Sequence, residues 1–287
     1  MFEVRPEQLR NDAERFRQLA ARYEELASLL EETDLGRTGG AVDALLPKVQ
    51  THIVGSDDSG PLKRGEALRR VIVAAAKFGD SDFSASEIAA AVRQEVAEKT
   101  VYAVFQRRRN LFEEVRKDRA NERISRYRLR GYTWVFTYGI NMDRKHLMEA
   151  FSHLGFDYEK IVVDAFPATM PEARLSWRNE SKKWGGGTAT FDPAEDSELP
   201  GLAYLVTDPE GLKAFQAKER PNYVEEIRRI VIDGRGLSAH VFNVDNKLRH
   251  KQEMDPAISY LEQVISAAMR ESLPAHHIQQ LQRRMKT

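Results

Sequence analysis

The sequence predicts an α+β protein, with helices before residue 131 and, from Tyr132 onward, short strands that make a mixed α+β domain or small barrel. Three observations carry this. Apolar residues recur at helical spacing through the first part of the chain, whereas the second part has short β-branched and aromatic runs bounded by loops. Those strands do not alternate regularly with helices, which argues against a doubly wound sheet. The segment Gly55-Ser-Asp-Asp-Ser-Gly-Pro61 gathers loop-forming residues without hydrophobic periodicity and marks a join. The predicted domains are residues 1–54, 62–131 and 132–287.

In the first segment Leu9, Phe16, Tyr23 and Leu30 stand seven apart, with Leu19 and Leu26 interleaved, so Phe2 to Leu30 reads as one helix with a single apolar stripe. It either packs on its own domain or serves oligomerisation or docking; Asp12 in the seam argues against a long coiled coil. Gly36-Arg-Thr-Gly-Gly40 is a turn rather than a phosphate loop, and a shorter helix follows over Val42 to Ile53. Beyond the join, helices are predicted over Gly65 to Lys77, Ser84 to Arg93 and Glu98 to Phe112. A Gly-Asp-Ser-Asp turn separates the first two and Gln94 to Ala97 the last two. Ser84 and Glu87 form a capping box for the second. With the strand-like Arg126 to Arg130, this order looks like a winged helix-turn-helix. From Tyr132, strands are predicted at Val135–Thr137, Arg174–Trp177, Gly187–Phe191, Leu202–Val206, Ile227–Ile232 and Ala239–Phe242, and helices near Arg144 to Leu154 and Ser259 to Arg270.

Composition bounds the function. Hydrophobic residues at 41% and charged residues at 31% describe an ordinary globular chain. There is no cysteine, which excludes disulfides, thiolate metal sites and a thiol nucleophile. No apolar run is long enough for a membrane span and the N-terminus has no signal core, so a cytoplasmic protein with no membrane partner is expected. His276 and His277 are adjacent, without a third ligand at useful spacing, and are assigned to solvent.

Net charge is zero over the whole chain, but Ala97 to Arg130 holds 11 Lys or Arg against 5 Asp or Glu. Met1 to Leu35 holds 5 Arg against 9 acids. In a winged helix the third helix would present Lys99, Thr100, Tyr102, Gln106, Arg107, Arg108 and Arg109 to phosphates or bases, and the basic wing would follow it. The same surface serves equally as a protein-docking module or a solvated face.

The function class comes from four landmarks in order: Trp134-Val-Phe-Thr-Tyr-Gly-Ile-Asn-Met142; Trp184-Gly-Gly-Gly-Thr-Ala-Thr190; Glu219-Arg-Pro-Asn-Tyr223; and Ser259-Tyr-Leu through Leu273-Pro274. Together they resemble the gamma-glutamylcyclotransferase family. In that family a strand runs into a Tyr-Gly-Ser-Asn turn, Trp-Gly-Gly opens a strand, a Glu precedes a Tyr, and a closing helix ends in Leu-Pro. The resemblance covers about half of the chain and implies a compact barrel flanked by helices. It implies that Tyr138, Gly139, Ile140 and Asn141 cradle a γ-glutamyl group, with Trp184, Gly185 and Tyr223 around it. Glu219 would be the general acid/base that lets the α-amine attack the γ-carbonyl and release 5-oxoproline. No metal or organic cofactor is required by that chemistry. Tyr223 would bond Glu219 or substrate, or be a core tyrosine, and Tyr260 would pack at the barrel mouth. Two departures stand out: Ile140 replaces the family's Ser, and Arg220 replaces a Gly. They keep open a second reading, a non-catalytic ligand sensor or DNA-binding regulator. A third is a docking component of a bacterial defence or stress assembly, with the N-terminal helices contacting a protein partner or a second copy.

Overall fold

A computed structural model describes residues 65–92, 96–118 and 124–285, all within the compact unit Pro61–Thr287. The expected helices over Phe2 to Leu30 and Val42 to Ile53, the Gly55–Pro61 join and the first half of the Gln94–Ala97 connection lie outside the described residues.

Three helices come first: α1 (Glu66–Ala76), α2 (Ala85–Val92) and α3 (Glu98–Arg107). The capping box ahead of α2 is reciprocal. The Ser84 N–H donates to Glu87 Oε2 at 2.6 Å, and the Glu87 N–H donates to Ser84 Oγ at 3.2 Å. Helix α3 is shorter than its apolar pattern predicts. It stops at Arg107, and Phe112 opens β1 (Phe112–Lys117), which pairs antiparallel with β2 (Ser125–Leu129). Tertiary packing decides this: as a strand residue Phe112 stacks on Phe105 with centroids 4.3 Å apart, and Tyr127 of β2 meets Phe105 edge-on at 5.0 Å. Phe83, fully buried, joins the same cluster and bridges to Tyr127.

The remaining strands form a closed barrel in the order β3-β5-β4-β6-β7: β3 (Tyr132–Thr137), β4 (Val162–Ser181), β5 (Gly186–Thr207), β6 (Tyr223–Ile232) and β7 (Arg235–Val244). Closure comes from a parallel pairing of β3 with β7 at Val135 and Phe136; the other neighbours are antiparallel. The separately predicted strands at Gly187–Phe191 and Leu202–Val206 are one strand, β5. The ladder with β4 is interrupted between them, where Pro171 faces Glu198 and Ala173 faces Pro193, so residues 194–197 bulge out and the pairing resumes on either side. Glu172 and Asp196 take left-handed φ values of 55° there, and such a bulge turns the strands instead of ending them. Residues 199–206 are buried without a break, as suits a strand covered on both faces.

Helices flank the barrel: α4 (Arg144–His153), α5 (Tyr158–Ile161), α6 (Glu210–Glu219), α7 (Ile258–Arg270) and α8 (Ala275–Arg284). Asp143 caps α4 by accepting from the N–H groups of Lys145 and His146. On the other side of α4, Phe151 meets Phe215 of α6 edge-on at 5.1 Å, both fully buried. Helix α6 ends at Glu219 because Pro221 disfavours a helical Arg220, whose ψ is 150°.

The helical module and the barrel share contacts. Trp134 Nε1 donates to the Ala76 carbonyl at 3.2 Å, Arg69 reaches Asp164 at 2.7 Å, and Lys77 reaches Asp233 at 2.7 Å. Among the described residues no helix is long and apolar enough to cross a membrane.

Candidate active site at the barrel mouth

A cavity of about 240 Å3 opens at one end of the barrel. Segments that are distant in sequence form it, among them the turn after β3, the hairpin turn between β4 and β5, the end of α6, and Tyr260 on α7.

Strand β3 delivers Tyr138 to Asn141 into the wall, where Ile140 begins a single 3-10 turn. The Tyr138 side chain is committed inward: its hydroxyl donates to the Phe242 carbonyl at 2.6 Å, and burial holds its pKa far above that of a free phenol. Gly139 is required for a reason other than turn geometry, since its φ of −126° is open to any residue. A Cβ there would stand 2.8 Å from Ala189 Cβ and 3.0 Å from Tyr260 Oη. The glycine therefore lets the turn lie directly against β5 and α7.

Asn141 and Glu219, 78 residues apart, meet in this wall. Asn141 Nδ2 donates to Glu219 Oε1 at 2.5 Å, and Lys218 Nζ approaches the same oxygen at 3.2 Å. The carboxylate side chain is only 10% exposed. The backbone of Asn141 is held as well, its carbonyl accepting from Tyr204 Oη at 2.8 Å. Asn141 Oδ1 is buried without a hydrogen-bond partner, and an orphaned acceptor of this kind costs about 1–3 kcal/mol until a donor arrives. The cation flanking Glu219 is thus Lys218; Arg220 is exposed.

Both tyrosines line the cavity: Tyr223 follows the core alternative and Tyr260 packs at the barrel mouth. Tyr223 does not bond Glu219. Its hydroxyl donates to the Ala189 carbonyl at 3.1 Å and lies 3.2 Å from both Thr188 Oγ1 and Asn179 Nδ2. Burial pushes its pKa up to about 12, so it stays protonated. Tyr260 is in the cavity wall itself. Its hydroxyl accepts from the Ala189 N–H at 3.2 Å. Burial raises its pKa, with the Ala189 and Ile140 amides acting against that. Its ring meets Trp184 edge-on at 5.3 Å.

Trp184 lines the cavity, but Gly185 does not: it is the exposed turn residue, with φ of 74°, that lets β4 reverse into β5. Wall residues that the sequence did not single out include His146 on α4, Lys183 in the hairpin turn and Asn179 on β4. The helical position of His146 and the single charge of Lys183 give no signal in sequence. Burial, then Lys218 and Lys183, lower the pKa of His146.

His277 also departs from expectation. It is buried at 2% exposure, with Nε2 unpartnered, while its neighbour His276 is exposed. Successive residues on a helix point about 100° apart, so α8 packs one imidazole inward and leaves the other in water. Among the described residues no group of three His, Asp or Glu converges as metal ligands would.

No protein-family model matches this chain, and no curated protein sequence matches it. Solved structures do resemble it in fold. A gamma-glutamyl cyclotransferase shares 17% identity at a TM-score of 0.45, over 53% of this chain and 86% of that one. A yeast gamma-glutamyl cyclotransferase specific to glutathione shares 12% identity at a TM-score of 0.40, over 54% and 96%. YkqA from Bacillus subtilis shares 18% identity at a TM-score of 0.43, over 55% of each chain. The likeness is one of fold and lies in the C-terminal half.

Proposed function

We propose that the cavity is a cyclotransferase site that releases 5-oxoproline from a γ-glutamyl amine or peptide, in a cytoplasmic protein. The observation that carries this reading is the Asn141–Glu219 contact at 2.5 Å, which joins two motifs that resemble the family's in one enclosed wall. Glu219 takes a proton from the substrate's α-ammonium, and the orphaned Asn141 Oδ1 accepts a second N–H from the same group. The freed amine attacks the γ-carbonyl carbon and forms the five-membered ring. As the C–N bond breaks, Glu219 passes that proton to the departing nitrogen and takes the second proton from the ring nitrogen, which then follows to the amine, leaving 5-oxoproline and an ammonium product. Tyr260 already accepts from a backbone amide, so its own proton is free to meet the carbonyl oxygen as negative charge develops. Ile140 lines the wall through a backbone turn, so loss of the family's Ser removes one hydroxyl and not the turn.

The test is 5-oxoproline release, read by mass spectrometry, on a panel of γ-glutamyl amino acids, γ-glutamyl amines and glutathione. Glu219→Gln should lower release at least about 100-fold while titration calorimetry still records binding. Binding by the wild type without release from any substrate would make the barrel a sensor.

A second reading, for the helical module, is nucleic-acid contact by a winged helix. Its support is the exposed row of Lys99, Gln106 and Arg107 to Arg109. The wing contributes less than its composition predicts, because Arg116 and Arg126 are paired with Asp82, and Lys117 with Glu114. Reversing Arg107, Arg108 and Arg109 together should weaken binding and flatten its salt dependence; an unchanged gel shift would leave the module as a protein-docking surface.

A further inference from the structure

Strand β6 has an edge that the barrel does not use. The barrel closes between β4 and β6 at one residue pair, Thr169 with Val231. Beyond the bulge after Pro171, β4 turns to other partners. Its Arg178 carbonyl accepts from the His250 N–H at 2.9 Å and its Trp177 carbonyl from the Met254 N–H at 2.8 Å, both from the chain between β7 and α7. Among the described residues, Tyr223 to Ile230 therefore pair with β7 on one side and with no strand on the other. A bare edge presents N–H and C=O groups that a further strand can take up, and proteins commonly guard such edges with charge. Strand β6 carries charge, but in an order that guards it only against other sequences. Val224-Glu-Glu-Ile-Arg-Arg-Ile230 is its own complement about Ile227 when one copy is reversed: apolar, acid, acid, apolar, base, base, apolar. Ile227, at the centre, is 59% exposed, and Val224 is exposed too. The charges are not consumed within the chain. Arg229 lies over Gly236 of β7 without an acidic partner among the described residues. Arg228 reaches Glu226 only at 3.9 Å, and Glu225 meets His240 and Gln216 instead of a fixed cation.

We infer that this edge is the seam of a homodimer, in which the β6 strands of two copies pair antiparallel across a two-fold axis at Ile227. In that register Glu226 of each copy faces Arg228 of the other, Glu225 faces Arg229, Val224 meets Ile230, and the two Ile227 side chains cover each other. Opposite charges directly across an antiparallel pair attract, and the two-fold axis makes every such pair occur twice. Moving the axis by one residue, to Glu226 or Arg228, sets like charges face to face and puts Ile227 against a charge, so the pattern fixes the register. The seam is independent of what the cavity binds.

The chain has no cysteine, so Ile227→Cys introduces a single thiol whose cross-linking reads the axis directly. Residues facing each other at the axis have Cα atoms about 4.5–5.5 Å apart, a span that a disulfide accepts, and mild oxidation of the full chain should link two copies. Val224→Cys, about 20 Å from its own counterpart in this register, should not link. In sedimentation velocity the wild type should show a monomer–dimer equilibrium that Glu226→Arg weakens at least about tenfold. Adding Arg228→Glu to that variant reverses the pattern but keeps it self-complementary, so the dimer should return; the return also excludes misfolding as the cause of the loss. A wild type that stays monomeric at its highest soluble concentration would overturn the seam. So would a dimer indifferent to Glu226→Arg, a double variant without recovery, or equal linking through Val224→Cys.

Discussion

Asn141 shows how much chemistry a single side chain can hold in place. Its amide fixes Glu219 and its carbonyl is fixed by Tyr204, so the carboxylate is oriented from a strand end instead of from its own helix. The sequence pointed to both residues through their motifs but had no means of pairing them. His277 is the contrasting case, since a doublet of histidines near the C-terminus carries no sign of which one is buried. Burial lowers the His277 pKa to about 4, and the sign of the effect is fixed. Above about pH 6.5 the imidazole is neutral in folded and unfolded chains alike and contributes no pH dependence. As pH falls from there toward 4, the unfolded chain binds a proton that the folded chain refuses, so stability is lost. The loss is at most roughly 3 kcal/mol. His277→Phe should flatten the decline of the melting temperature between pH 7 and pH 4; an unchanged slope would mean that other groups control acid sensitivity.

At the scale of elements, local chemistry and tertiary packing each governed different parts of the chain. The start of α2 was legible because its capping box is a four-residue matter, closed by the side chains of Ser84 and Glu87 themselves. Ser84→Ala should cost about 1 kcal/mol, seen as a lower melting temperature; an unchanged value would mean that the salt bridge from Arg126 to Glu87 holds the helix end alone. The end of α3 was not legible. Its apolar pattern continues to Phe112, and only the stacking of Phe112 on Phe105 and the pairing with β2 turn those residues into a strand. The single long β5 was hidden for a related reason. Its middle, from Pro193 to Ser197, has the composition of a loop, and the strand runs on because the ladder with β4 resumes beyond that bulge.

At the scale of the whole molecule, the helical module and the barrel meet through Trp134 on Ala76, Arg69 on Asp164 and Lys77 on Asp233. All three tryptophans, Trp134, Trp177 and Trp184, belong to the barrel part of the chain, and Trp134 also donates to Ala76 of the helical module, so their fluorescence reports the barrel and, through Trp134, its junction with the module. Phe105→Ala, in the module's aromatic cluster, removes a buried ring worth about 3–5 kcal/mol. If the two parts unfold together, the fluorescence transition should move down with the helical circular dichroism signal. A fluorescence transition that stays in place would show them to be separate folding units. The sequence by itself determined the fold class, the order of most elements and the residues of the turn, the acid and the tryptophan hairpin, because these are written in local spacing and in short motifs. Only the tertiary structure decided that Lys218 and not Arg220 faces Glu219, that Tyr223 serves β5, that Tyr260 reaches the cavity, and that Lys183 and His146 stand beside it. Those are contacts between strands and helices far apart in the chain, and they exist only once the barrel closes and brings its ends together.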